Sequence, residues 1–337
     1  MKSELIIPTG KGREAKLKLF AEALIKIQEK IDFKISSRGW CYQLEGYSLI
    51  DKSKFDLIQR VINECRKRGY LPLDFTAEDK SRSFECVDTS PENAKEFLND
   101  YVNILNEASD YYEPSFMDDK KYYVQILVEK IDLKTLFKPI TNFYRIPIAT
   151  AKGWSDINQR AEIIERFKKA EARGQTPVLL YCGDFDCAGL LISETLKKNF
   201  NDLREGTDWD CSNLIIDRFG LNYDFIIENN LTWIENLMTG SGKDLANPSH
   251  NDFNKPYVQD YIKKYGERKC EANAIVVIPE LAKQLLLNTL LKYFSNKEFE
   301  DYQKLREDKI QEIKSIIKSK EFSEAIKQLK KVLKNEN

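Results

Sequence analysis

Between residues 122 and 217, short apolar runs alternate with longer amphipathic ones, and this alternation constrains the fold more than any other feature of the chain. Residues 122–128, Tyr-Tyr-Val-Gln-Ile-Leu-Val, form a nearly continuous apolar, β-branched run of the kind found in strands buried on both faces. The spacing predicts a helix over 133–142, a strand over 144–148, and a long helix over 156–173 closed by Gly174. A third strand follows at 177–182, a helix at 190–199 and a fourth strand at 213–217. A β-α-β-α-β-α-β order implies an α/β fold, with a parallel sheet flanked by helices on both faces.

The first 80 residues have a different texture. Leu17, Phe20, Leu24 and Ile27 recur at helical spacing, so residues 14–30 read as an amphipathic helix. Ser36 or Ser37 can cap a short helix over 38–45 that Gly46 ends. Ser53 can cap a third helix, with Phe55, Ile58, Ile62 and Cys65 as its buried stripe and Gly69 as its stop. Residues 71–76 look like the start of a strand. Three helices and then a strand outline a winged helix, a helix-turn-helix variant whose third helix often enters the DNA major groove. Residues 90–119 are acidic and helical in pattern, and the chain from 279 onward is helical and rich in Lys and Glu. The expected organisation is a mainly α domain over 1–112, an α/β domain over 120–278 and a helical extension over 279–337.

Composition narrows the chemistry. Lys and Arg total 53 and Asp and Glu 54, a net charge of −1, so any nucleic-acid footprint must be local. No run approaches the roughly 20 apolar residues of a membrane helix. The N-terminus has no long apolar core of a signal peptide, so an intracellular, cytoplasmic protein is expected, with no membrane partner. His250 is the only histidine, which excludes the two-histidine helical zinc motif. The seven cysteines are scattered without a CxxC pair, which argues against zinc ribbons and disulfide frameworks. The segment Thr239-Gly-Ser-Gly-Lys-Asp lacks the first Gly of a phosphate loop and has Asp244 where Ser or Thr belongs, so it is not read as a nucleotide motif. Catalysis, if present, falls to carboxylates, tyrosines, lysines and arginines.

In an open parallel sheet, ligands sit at the carboxyl ends of the strands. Here the first strand ends in Glu129-Lys130, and the third ends in Gly183-Asp-Phe-Asp-Cys-Ala-Gly189. A two-residue step puts Asp184 and Asp186 on one side if the chain is extended there. Glu129, Asp184 and Asp186 without histidines would make a hard oxygen site, suited to Mg2+ or Mn2+ rather than zinc. Such acids also cap following helices, so a lone Asp-x-Asp is often only structural.

The strand-end Glu129, the intervening Gly153 and the Gly183–Gly189 run together resemble the Toprim domain of topoisomerases, primases and several nucleases, over roughly residues 120–220. A winged helix followed by Toprim resembles the A subunit of topoisomerase VI and its meiotic double-strand-break relatives. In that family the catalytic tyrosine follows an arginine by four residues. Ser36-Ser-Arg38-Gly-Trp-Cys-Tyr42 keeps that spacing, with Cys41 and Gly39 departing from the usual residues.

The resemblance implies Asp184 and Asp186 as Mg2+ ligands, and Glu129 as a further ligand or a general acid/base. It implies Tyr42 as the nucleophile forming a 5′-phosphotyrosyl link to double-stranded DNA, with Arg38 supporting it. Also implied are a homodimer, nucleoid association and a separate ATP-hydrolysing subunit. Lys130, Lys152, Arg66 and Arg68 are the candidate DNA contacts. Two other readings stand beside this one. In the first, a Toprim nuclease cleaves by hydrolysis with an ATPase partner in plasmid or phage defence, and Tyr42 is a core anchor. In the second, the chain is a DNA-binding module without activity. Glu271, in Arg268-Lys-Cys-Glu-Ala-Asn, reads as an extra ligand or, preferably, as a helix-start residue.

Overall fold

The computed structural model describes residues 6–77, 90, 92–151, 157–239 and 242–335. It is mixed α/β and divides into two compact units, Met1–Asp79 with Met117–Leu290 and Lys80–Phe116 with Leu291–Asn337. No helix among the described residues is long and apolar enough to cross a membrane.

The larger unit opens with α1 (Arg13–Gln28), α2 (Ser37–Gly46) and α3 (Phe55–Lys67). Ser36 is extended, and its hydroxyl accepts the Gly39 amide, which starts α2 as the sequence suggested. Leu17, Phe20 and Leu24 of α1 are buried together with Ile58, Val61, Ile62 and Cys65 of α3. The strand expected over 71–76 does not form. Pro72 has no N–H to give a sheet, its carbonyl instead accepts the Phe75 amide in a turn, and the Arg66 guanidinium caps the Leu73 carbonyl. Phe75 stacks on Trp40 with ring centroids 5.1 Å apart, so its apolar surface is used without a strand. Among the described residues between α3 and Tyr122, no strand forms.

The smaller unit takes in α4 (Ala94–Asn106), which starts at the Asn93 cap and is the acidic helix read from the sequence. The larger unit resumes with β1 (Tyr122–Val128), α5 (Ile131–Phe143), β2 (Ile148–Thr150), α6 (Ile157–Ala172), β3 (Thr176–Cys182), α7 (Ile192–Asn201), α8 (Arg204–Thr207), β4 (Ile215–Gly220), α9 (Tyr223–Glu228), α10 (Pro256–Tyr265) and α11 (Pro279–Leu290). The sheet is four-stranded and wholly parallel, in the order β2-β1-β3-β4. The second strand starts later than expected, because α5 runs on to Phe143 and Arg145 turns the chain in the left-handed region at φ 53°.

Helices cover both faces of the sheet. On one side Leu127, Leu179 and Tyr181 are buried among Ile163, Ile164 and Phe167 of α6 and Leu196 and Phe200 of α7. On the other, Phe137 of α5 tilts against Phe219 of β4 at 5.9 Å, and α11 lies beside α5 and β4. Each such side chain contributes about 1.5–3 kcal/mol by leaving water. Helix α11, grouped by sequence with the C-terminal extension, therefore serves the sheet.

The smaller unit continues with α12 (Asn296–Lys318) and α13 (Lys320–Asn335). Ser295 and Glu298 form a reciprocal capping box at the start of α12. Phe116 is buried between Phe294, Phe299 and Tyr302, which ties residues far apart in sequence into one aromatic cluster.

Candidate active site

Parallel register brings the acids together. Val128 lies beside Cys182, and Cys182 beside Gly220, so β1, β3 and β4 end side by side. Past those ends the Glu129 amide donates to the Cys182 carbonyl at 2.9 Å, and the Gly183 amide to the Gly220 carbonyl at 2.8 Å. Glu129 then reaches across, and its Oε2 accepts the Asp184 amide at 2.8 Å. Gly183 is required here by close approach, since a Cβ would lie 2.6 Å from that same Oε2.

Lys130 closes the arrangement. Its Nζ lies 2.7 Å from Glu129 Oε1 and 2.8 Å from Asp184 Oδ2. The other Asp184 oxygen accepts the Ala272 amide at 2.8 Å. Asp186 does not join this group. Extended geometry ends at Phe185, whose N–H and C=O both pair with Cys270, and the chain bends at Asp186. Asp186 Oδ1 instead accepts the Gly189 amide at 2.6 Å and caps the turn leading to α7. Phe185 is the anchor of the motif, buried against Tyr223, Trp233, Tyr261 and Tyr265.

These environments split the two facing carboxyls. Burial works against the Glu129 carboxylate, but the Lys130 ammonium and the hydrogen bonds it receives hold its pKa below the usual carboxylate value. Asp184 is the deeper of the two. Burial pushes its pKa up, the neighbouring Glu129 charge adds to the rise, and Lys130 only partly opposes it. Burial also raises Asp186, against the Gly189 hydrogen bond. For Lys130, burial is outweighed by the two carboxylates, so the ammonium is held charged.

Glu271, read from sequence as an extra ligand or, preferably, a helix-start residue, does precede the 3-10 helix Ala272–Val277, and it is also the hub of a second cluster beside the first. Arg38 Nε and Nη2 each donate to it at 2.8 Å, and the Tyr42 hydroxyl donates to its Oε2 at 2.9 Å. The Phe185–Cys270 bridge fixes its position, and its neighbour Ala272 holds Asp184. Burial works against the Glu271 carboxylate, and Arg38 and Tyr42 together bring its pKa below normal. Tyr42 is 1% exposed, and burial followed by the Glu271 charge pushes its pKa well above the tyrosine range. Arg218, within β4, was not picked out from the sequence. Its Nη2 donates to the Asp184 carbonyl at 2.9 Å and its Nε to the Gly189 carbonyl at 3.0 Å, so it clamps both ends of the acidic loop. Its place directly after the strand expected over 213–217 was the only signal in the sequence.

The remaining candidates lie elsewhere. Arg66 donates to the Leu73 carbonyl and Asn63, and Arg68 pairs with Glu14 and Glu64, so both side chains are engaged within the N-terminal helices. Lys152 and Gly153 lie outside the described residues. His250 Nδ1 accepts the Asp252 amide in a loop turn.

No family model, curated protein or solved structure matches this chain.

Among the described residues, no group of three or more His, Cys, Asp or Glu side chains is placed to hold a metal ion. Asp186, the third expected carboxylate, is engaged with the Gly189 amide. Two oxygens, from Glu129 and Asp184, nevertheless converge on one cationic nitrogen. Two carboxylates, completed by water and substrate phosphate, are a common way of holding Mg2+. The donor chemistry fits a hard divalent ion at Glu129 and Asp184, with Lys130 displaced.

Proposed function

We propose that this chain is a metal-dependent nuclease of Toprim type that hydrolyses phosphodiesters of double-stranded DNA, with α1–α3 serving as a winged-helix-like DNA-binding region. The observation that carries this reading is the convergence of Glu129 Oε1 and Asp184 Oδ2 on one cation position at the ends of adjacent parallel strands. Glu129 and Asp184 would hold Mg2+ or Mn2+, and such an ion supplies charge stabilisation to a phosphate under attack. Lys130, once released from the carboxylates, is one helical turn from Lys134 and suited to a phosphate oxygen. Asp186 shapes the loop through Gly189, and Arg218 braces it.

Water is favoured over Tyr42 as nucleophile. A tyrosine must lose its proton to attack, and Tyr42 is buried, with its pKa raised. Glu271 is the base within reach, but Arg38 makes it a weak one by stabilising its charged form. Transesterification by Tyr42 in a dimer, as in topoisomerase VI A subunits, is the second reading. It is favoured by the order nucleophile, carboxylate, orienting arginine in the Tyr42–Glu271–Arg38 cluster, and it requires this cluster to open.

The test is cleavage of an end-labelled DNA duplex in Mg2+ or Mn2+ against EDTA. The proposal expects products only with metal, and none from Asp184→Ala or Glu129→Gln. Cleavage in EDTA, or undiminished cleavage by both variants, would overturn it.

A further inference from the structure

Helix α5 leads directly away from the acidic site, with Lys130 as its N-cap. Lys134 follows one turn later and Lys138 one turn after that, so the three fall on one helical face. Four residues of helix advance about 6 Å, comparable to the separation of neighbouring phosphates along a nucleic-acid strand. Lys134 is half-buried and Lys138 exposed. Beyond them, Lys134 and Lys138 line a cavity of about 340 Å³ together with Thr141, Asn142 and Arg145, and no carboxylate is among its lining residues. In a chain with 54 acids against 53 bases, three cations around one cavity without an acid form a local field that the net charge hides. The helix carries one acid, Asp132, which is fully buried and accepts from the Ser36 amide and hydroxyl. It therefore offers no charge that would repel a polyanion.

We propose that this face of α5, with the cavity beyond it, binds the phosphate backbone of a DNA strand and leads it to the carboxylates at the ends of β1 and β3. The assignment rests on the nuclease reading for its direction toward those carboxylates. The contacts are to phosphates, so they position the strand and read no bases. Thr141 is buried, whereas Asn142 is exposed and offers an amide donor beside the cations.

The test is binding of a labelled duplex to the full-length protein in EDTA across a salt series, with cleavage measured separately in Mg2+. Each phosphate contact contributes close to one to the slope of log affinity against log salt. The variant Lys134→Ala/Lys138→Ala is compared with wild type and with Lys297→Ala/Lys304→Ala, an equal charge change on exposed positions of α12. Melting curves check that each is folded, and Lys134→Gln/Lys138→Gln replaces the first pair if alanine lowers the melting temperature.

The expected result is a slope shallower by about two for the α5 pair, with the α12 pair unchanged. An unchanged slope for the α5 pair, an equal loss in the α12 pair, or no DNA binding by wild type overturns the proposal. Cleavage by wild type with an unchanged slope would remove the track and leave the nuclease. The predicted loss of slope without any cleavage would leave a DNA-binding track and remove the nuclease.

Discussion

Arg38 grips Glu271 through two hydrogen bonds of 2.8 Å, joining the second helix of the chain to a segment 233 residues further on. Because Ala272 in turn holds Asp184, the pair braces the acidic loop from behind. Glu271→Ala leaves Arg38 and Tyr42 without their shared acceptor. Removing one partner of a buried pair costs about 3–5 kcal/mol. Arg38 is 38% exposed at its side chain, so solvent screening reduces this to about 1–3 kcal/mol. Urea denaturation should show that loss, and Mn2+ affinity should fall with it. Unchanged stability would mean that the pair is only a surface contact.

Lys130 lies between Glu129 and Asp184, at the position we propose for a divalent ion. In Lys130→Ala the two carboxylates face each other without a cation. The metal-free protein should lose about 2–4 kcal/mol, less than a fully buried pair because the ammonium keeps some solvent contact. The rise in melting temperature on adding Mn2+ should be larger than in wild type, since no ammonium has to be displaced. An equal or smaller rise would show that Lys130 and the ion do not share a position.

Asp184 gives the protein a signed pH dependence. Its folded-state pKa is raised to about 7, chiefly by burial, while an unfolded chain titrates near the ordinary value of about 3.9. Folding therefore favours the protonated form. The resulting stability is complete below about pH 4 and is lost as pH rises through neutrality. Asp184→Asn mimics the protonated group, so it should raise the melting temperature of metal-free protein at about pH 8 and leave it nearly unchanged at about pH 4. Mn2+ affinity of the wild type should weaken over the same interval as pH falls, because the proton competes with the ion. Equal shifts at both pH values would contradict the assignment.

Gly189 closes the acidic loop by close approach. A Cβ at this position would collide with the Asp184 carbonyl oxygen, a backbone atom fixed by Arg218. Gly189→Ala should therefore destabilise by about 1–3 kcal/mol and displace Asp184. Equilibrium unfolding together with Mn2+ titration reads both effects. A variant that matches wild type in both would show that the loop has room to shift.

Much of the sheet region was legible because its signals are local. The run at 122–128 coincides with β1, and the helices around 133–142, 156–173 and 190–199 formed close to their expected bounds. The strand at 71–76 failed because its apolar residues, notably Phe75, are satisfied by packing on Trp40. Period-2 reasoning placed Asp184 and Asp186 on one side, but the chain bends at Asp186, whose carboxylate takes the Gly189 amide. The helix-start position of Glu271 was legible, but its pairing with Arg38 and the role of Arg218 were hidden, because they depend on partners 233 and 34 residues away, which no spacing rule connects. Lys130 was seen as a phosphate contact, and its salt bridges to Glu129 and Asp184 became visible only with the sheet register.

We propose hydrolysis of DNA at Glu129 and Asp184, with Tyr42 as a structural residue. It is tested most directly on supercoiled plasmid with Mg2+ or Mn2+, stopped with detergent and run with and without protease treatment. Nicked or linear DNA should enter the gel without protease, persist in Tyr42→Phe and disappear in Asp184→Ala. Broken DNA that appears only after protease and is lost in Tyr42→Phe would contradict it and establish a covalent tyrosyl link instead.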